Sequence, residues 1–142
     1  MADYPNAVGS PARGDHPYLD PPKKILVVDD DDDTRALLRA VLEKHSFEVD
    51  EAENTRQALA KVESWEPDLV TTDISRPDDT GLQLLFFIMG RRRSLPVVFI
   101  TASIACREMC RVSGAAAFIP KPFDPEQLIE VVREALSRSH SG

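Results

Sequence analysis

The chain has 142 residues, 17 of them basic and 24 acidic, for a formal net charge of −7. Its length and its 42% apolar fraction suit one domain with its own core, not a disordered chain or one that needs covalent staples. Two cysteines exclude a disulfide scaffold, no apolar run approaches the roughly 20 residues of a bilayer span, the first residues do not read as a signal peptide, and the acidic balance disfavours a coat for nucleic acid or anionic membrane.

Residues 1–22 read as a disordered lead, because Pro5, Pro11, Pro17, Pro21 and Pro22 remove backbone donors and aliphatic residues are scarce. From Lys24 short apolar runs alternate with stretches of helical period. The first run, 25–28, predicts a strand, and 33–45 predicts a helix whose stripe is Leu37, Leu38, Val41 and Leu42. A weaker strand at 47–49 leads to a helix at 55–65. A run at 69–70 precedes a helix at 81–92, and a run at 97–100 precedes one at 104–113. The last unit is a strand at 115–119 and a helix at 124–138, opened by Asp124-Pro125-Glu126, an acidic cap with proline at the first helical position. Residues 139–142 are expected to be disordered, so the folded domain is placed at 23–138.

Five strand-then-helix units predict an α/β fold with a parallel sheet covered by helices on both faces. The strongest runs are continuously apolar, as strands buried on both faces should be. In such sheets the ligand crevice lies beyond the carboxyl ends of the strands. There the chain carries Asp29 to Asp33 after the first run, Asp73 after the third, Thr101 after the fourth and Lys121 after the fifth. Carboxylates crowded together repel, by roughly 4 kcal/mol for a pair at 4 Å and an effective dielectric near 20, so the group needs cations. Lys121 is one. A hard divalent ion, Mg²⁺ or Mn²⁺, suits an oxygen-only donor set. A carboxylate beside such cations, with a hydroxyl at hand, is equipped to accept a phosphoryl group. Taken singly, Asp32 and Asp33 read more simply as charges at the positive end of a helix, and Asp73 or Lys121 as an ordinary loop residue. The combination carries the argument.

These residues resemble the receiver domain of bacterial two-component response regulators. The resemblance runs from about Lys24 to Leu136 and rests on Ile-Leu-Val-Val-Asp-Asp (25–30), Asp-Leu-Val-Thr-Thr-Asp-Ile-Ser-Arg-Pro (68–77) with Gly81 following, Val-Val-Phe-Ile-Thr-Ala (97–102), and Gly-Ala (114–115) with Phe-Ile-Pro-Lys-Pro-Phe (118–123). It implies a doubly wound, flavodoxin-like (βα)5 fold with a five-stranded parallel sheet in the order 2-1-3-4-5. It implies Asp73 as phosphoacceptor, served by a sensor histidine kinase or a phosphotransfer protein. Asp29, Asp30, Asp73 and the backbone carbonyl of Ser75 would hold the metal, with Asp31 in reserve because the five-aspartate run blurs the register. Thr101 and Lys121 would meet the phosphoryl group, Phe118 would be the switch aromatic, and the bond before Pro122 would be cis. Arg35 follows Asp30 by five, as an arginine often does in this family. The output would be a change in binding to a downstream protein through the fourth helix, fifth strand and fifth helix, a face that also suits a homodimer. A cytoplasmic switch rather than a turnover enzyme is implied, with no membrane contact.

Two residues depart from the family pattern beside the site. Arg76 stands where Met is common and Asp79 where an apolar residue is common, and either could alter phosphoryl lifetime. Cys106 and Cys110, spaced i, i+4, read as packed side chains, and Arg91 to Arg93 as charges at a helix carboxyl end. Two other functions compete. Asp30 to Thr34 fits the Asp-x-Asp-x-Thr motif of haloacid-dehalogenase-like phosphatases, but the acidic pair Asp78-Asp79 precedes Lys121 where that family needs one after its lysine. A metal-independent interaction module on the same fold is the other. The Met1 start favours a stand-alone protein or an amino-terminal receiver over the carboxy-terminal receiver of a hybrid kinase. Most of the charge is local: without Asp29 to Asp33 the net is −2, and without Asp73 as well it is −1. The acidic balance therefore argues only weakly against nucleic acid, although direct nucleic-acid binding is not expected.

Overall fold

The computed structural model describes residues 21–74, 80–91, 94–103 and 105–141. Five strands alternate with five helices: β1 (Lys24–Val28), α1 (Asp32–Lys44), β2 (Glu48–Ala52), α2 (Thr55–Trp65), β3 (Leu69–Asp73), α3 (Thr80–Arg91), β4 (Val97–Thr101), α4 (Ala105–Ser113), β5 (Ala117–Pro120) and α5 (Pro125–Ser141). The strands form one sheet in the order β2-β1-β3-β4-β5, and every pairing is parallel. Fold class and strand order are those expected.

Alternate residues of each central strand enter different cores, which is why these strands read as unbroken apolar runs. Leu26 and Val28 of β1 join Val97 and Phe99 of β4 in a cluster closed by Ala58 and Val62 of α2, Leu84, Leu85 and Ile88 of α3, and Cys106 of α4. Ile25 and Val27 join Val98 and Ile100 in a second cluster, closed by Leu38 and Leu42 of α1 and by Leu128, Ile129 and Val132 of α5. Helices α2, α3 and α4 thus cover one face, and α1 and α5 the other. Cys106 is fully buried, as a packed side chain should be; the side chain of Cys110 lies outside the described residues.

Boundaries differ where polar residues hide an element. β2 is an edge strand, and it continues past Val49 through Asp50 and Glu51, whose carboxylates are taken up by Lys61 and by Arg35 and Arg39. β3 continues from Val70 through Thr71 and Thr72 to Asp73, with both threonines buried. α5 does not stop at Arg138 but runs to Ser141.

Local capping fixes where α2 begins. Asn54 is its N-cap, and the side chain accepts a hydrogen bond from the Gln57 N–H at 2.9 Å. Asn54→Ala should lower the unfolding free energy by about 0.5–2 kcal/mol, read from the midpoint of urea denaturation at unchanged slope.

Candidate functional site

A parallel sheet puts all its carboxyl ends on one side, and four of the five strands deliver a chemically active residue there. Asp29 and Asp30 follow β1, Asp73 ends β3, Thr101 ends β4, and Lys121 follows β5. Asp29, Asp30 and Asp73 each offer a carboxylate oxygen, and these oxygens all lie within 4.8 Å of one another.

Asp29 is held on every side. It is buried, and its N–H donates to the Ala52 carbonyl at 3.1 Å. Its own carbonyl accepts from Nη1 of Arg35 at 2.8 Å. Oδ1 accepts from the Asp31 N–H at 2.9 Å, and Oδ2 accepts from Nζ of Lys121 at 3.2 Å. The same Lys121 nitrogen stands 3.4 Å from Oδ1 of Asp73. Burial works against the Lys121 ammonium, but Asp73 and then Asp29 outweigh it and raise its pKa above the ordinary lysine value. Lys121 is therefore a fixed positive charge at the site.

Each pair of unit charges at 4.8 Å repels by about 3 kcal/mol at an effective dielectric near 20. The Lys121 ammonium by itself does not offset three such carboxylates. The donor set is oxygen only, without His or Cys, and so fits a hard divalent cation of the Mg²⁺ or Mn²⁺ kind.

Asp31 has a different task from its neighbours. It is the N-cap of α1, accepting from the N–H of Thr34 at 2.9 Å and from the Thr34 hydroxyl at 2.6 Å. The hydroxyl bond and then the N–H bond hold its pKa below the ordinary aspartate value. Asp32 and Asp33 lie in the first turn, at the positive end of the helix.

Thr101 is buried at the end of β4. Its hydroxyl donates to the Ile74 carbonyl, one residue past Asp73, and accepts from the Ser103 N–H at 3.0 Å. It is thus beside the acid group and engaged with backbone. Phe118 is half-buried on β5, paired with Phe99 of β4, and the guanidinium of Arg107 on α4 lies 5.5 Å from its ring centre. The Lys121–Pro122 bond is cis. Ser75, Arg76 and Asp79 lie outside the described residues, as do the arginines at 92 and 93.

Sequence reading alone missed a charged network under the site. Arg35 and Arg39 converge on Glu51 of β2, with Nε of Arg35 at 3.0 Å and Nη1 of Arg39 at 2.5 Å. The bond from Arg39 lowers the Glu51 pKa, against burial and with help from Arg35. The available signal was an i, i+4 arginine pair on a helix followed by an acidic edge strand.

Comparison with known proteins gives one answer. The family described as the response regulator receiver domain matches residues 25–133. The chain is 37% identical over 105 residues to the DNA-binding transcriptional regulator NtrC of a Bradyrhizobium species, covering 72% of this chain and 22% of that protein. It is 37% identical over 112 residues to the response regulator Rre1 of a Synechocystis species, covering 75% of this chain and 48% of that one. The chain therefore spans at most about half the length of either relative. Among solved structures, the CheY-like response regulator receiver domain protein of Methanospirillum hungatei superposes with a TM-score of 0.76 at 31% identity, over 84% of this chain and 98% of that one.

Proposed function

The chain belongs to the response regulator receiver domain family, and on that premise we propose that it is a phosphorylation-dependent signalling switch with Asp73 as its phosphoacceptor. The observation that carries the reading is the meeting of Asp29, Asp30, Asp73 and Lys121 at one end of the sheet. An oxygen of Asp73 attacks phosphorus, the P–N bond of a phosphohistidine on a sensor kinase or phosphotransfer protein breaks, and the freed imidazole takes a proton from solvent. Asp29, Asp30, Asp73 and the backbone carbonyl of Ser75 would hold Mg²⁺ or Mn²⁺, which when bound supplies positive charge to the phosphoryl oxygens. Lys121 supplies a second positive charge beside Asp29 and Asp73.

The added phosphoryl group brings about −1.5 to −2 charge and three acceptor oxygens. For Thr101, contact with it means trading the Ile74 carbonyl for a phosphoryl oxygen. That trade biases the protein between two arrangements. Phe118 of β5, with the Arg107 guanidinium of α4 at 5.5 Å from its ring centre, would report the change at the α4-β5-α5 face, where a downstream protein or a second copy would bind. The unit runs from residue 23 to the end of α5, and a cytoplasmic setting suits its donor. The domain makes no direct contact with nucleic acid in this reading. Relatives such as NtrC are named as DNA-binding, and the chain covers 22% of that protein.

Local geometry weighs against a dehalogenase-type phosphatase. Asp32 pairs with Arg35 at 2.5 Å and Thr34 is bonded to Asp31, so the Asp-x-Asp-x-Thr run is occupied in starting α1. Acetyl phosphate with Mg²⁺ should give a single phosphoryl adduct by intact mass, and chelation of the metal should prevent it. A generic phosphomonoester should not be turned over; sustained turnover would overturn the switch reading.

A further inference from the structure

We propose that Arg35 is a positioning residue of the acid site: it fixes the main chain at Asp29 so that Asp29 and Asp30 stand ready for a divalent cation, and Glu51 in turn fixes Arg35. The inference rests on the metal-dependent reading above and assigns that reading a residue outside the ligand set.

An arginine in the first turns of a surface helix is ordinarily solvated, yet the Arg35 side chain is only 10% exposed. Its donors reach three elements. Nη1 meets the Asp29 carbonyl at 2.8 Å just past β1, Nη2 meets Asp32 at 2.5 Å in α1, and Nε meets Glu51 at 3.0 Å in β2. Asp32 is exposed, so that pair contributes little to the clamp. The other two contacts join β2 to the turn that carries the acids. Glu51 is itself held by Arg39, which also donates to the Val49 carbonyl at 3.1 Å. On its amino side Asp29 is tied to the Ala52 carbonyl of the same strand. Both peptide groups flanking Asp29 are therefore referred to β2, one directly and one through Arg35. Asp30 is exposed beyond the strand end, so the direction of its side chain follows from the peptide that Arg35 holds.

Charge alone predicts the opposite influence. A guanidinium beside the acids repels a divalent cation, so deleting it should tighten binding if electrostatics were its only role. Positioning predicts weaker binding. The planar fork also distinguishes Arg35 from a lysine, which keeps the charge but cannot span the same acceptors.

Isothermal titration of Mg²⁺ into the full chain decides between them, with thermal melts in chelator to establish folding. The expected result is a dissociation constant raised about 10-fold or more in Arg35→Met, comparably raised in Arg35→Lys, and raised to a lesser degree in Glu51→Gln. If Arg35→Met does not fold, Arg35→Lys and Glu51→Gln carry the test. Unchanged or tighter Mg²⁺ binding in folded Arg35 variants would overturn the inference while leaving the metal site intact. A wild-type chain that binds no Mg²⁺ would overturn the metal-dependent reading, and the inference with it.

Discussion

Asp73→Asn takes up no phosphoryl group from acetyl phosphate and Mg²⁺ under conditions that give the wild-type chain a single adduct. This is the largest effect expected of any side-chain change in the protein. The amide nearly preserves shape and keeps an oxygen for Lys121, but its nitrogen and oxygen are poor nucleophiles, so the bond to phosphorus does not form. The substitution also removes one of the three carboxylates and should weaken Mg²⁺ binding. Asp30→Asn separates the two consequences. It leaves the nucleophile in place while removing a charge that would hold the metal, so adduct formation should slow and recover partly at higher Mg²⁺. Intact mass against time measures both. An adduct that persists in Asp73→Asn would place the acceptor elsewhere, with Asp29 and Asp30 the nearest alternatives.

What was readable in advance follows from which physical signals are local. β1 and β4 announce themselves because Ile25 to Val28 and Val97 to Ile100 are buried on both faces. Once five such runs are separated by helices, parallel geometry gathers Asp29, Asp30, Asp73, Thr101 and Lys121 at one edge without further information. β2 is poorly legible because its polar residues are satisfied by side chains of α1 and α2, which no window of the strand itself contains. The same reason hides the role of Arg35: Glu51 lies sixteen residues away, and only the β1–β2 pairing brings it within reach. The orientation of the Thr101 hydroxyl is equally non-local, being set by the carbonyl of Ile74 on the neighbouring strand's exit. The aspartate run shows a middle case. Counting from the end of the apolar run already separates Asp29 and Asp30 from the rest, with Asp31 in reserve because identical residues blur the register, and what the fold adds is Asp31 capping α1.

Lys121→Met should slow phosphoryl uptake about 10²-fold, the order expected for losing one preorganised group that stabilises developing charge. It should do so without abolishing uptake, since Asp73 remains. The stability consequences have a definite sign. In wild type without metal, the Lys121 pKa is raised in the folded state, so its contribution is fully present below the unfolded lysine value of about 10.4 and is lost as pH rises through the folded value. The methionine variant lacks that contribution at neutral pH. Its Asp29 and Asp73 then lose the ammonium that stood 3.2 and 3.4 Å away, and the three carboxylates repel without it. The variant should be less stable than wild type in chelator by about 1.5–3 kcal/mol, the range for hydrogen bonds to charged groups. It should also respond more strongly to Mg²⁺, because the divalent cation no longer competes with a resident positive charge. Urea denaturation with and without Mg²⁺ at pH 7 measures both shifts. An equal Mg²⁺ increment in the two proteins would mean that Lys121 and the metal do not share the same carboxylates, against the reading of the site as one electrostatic unit.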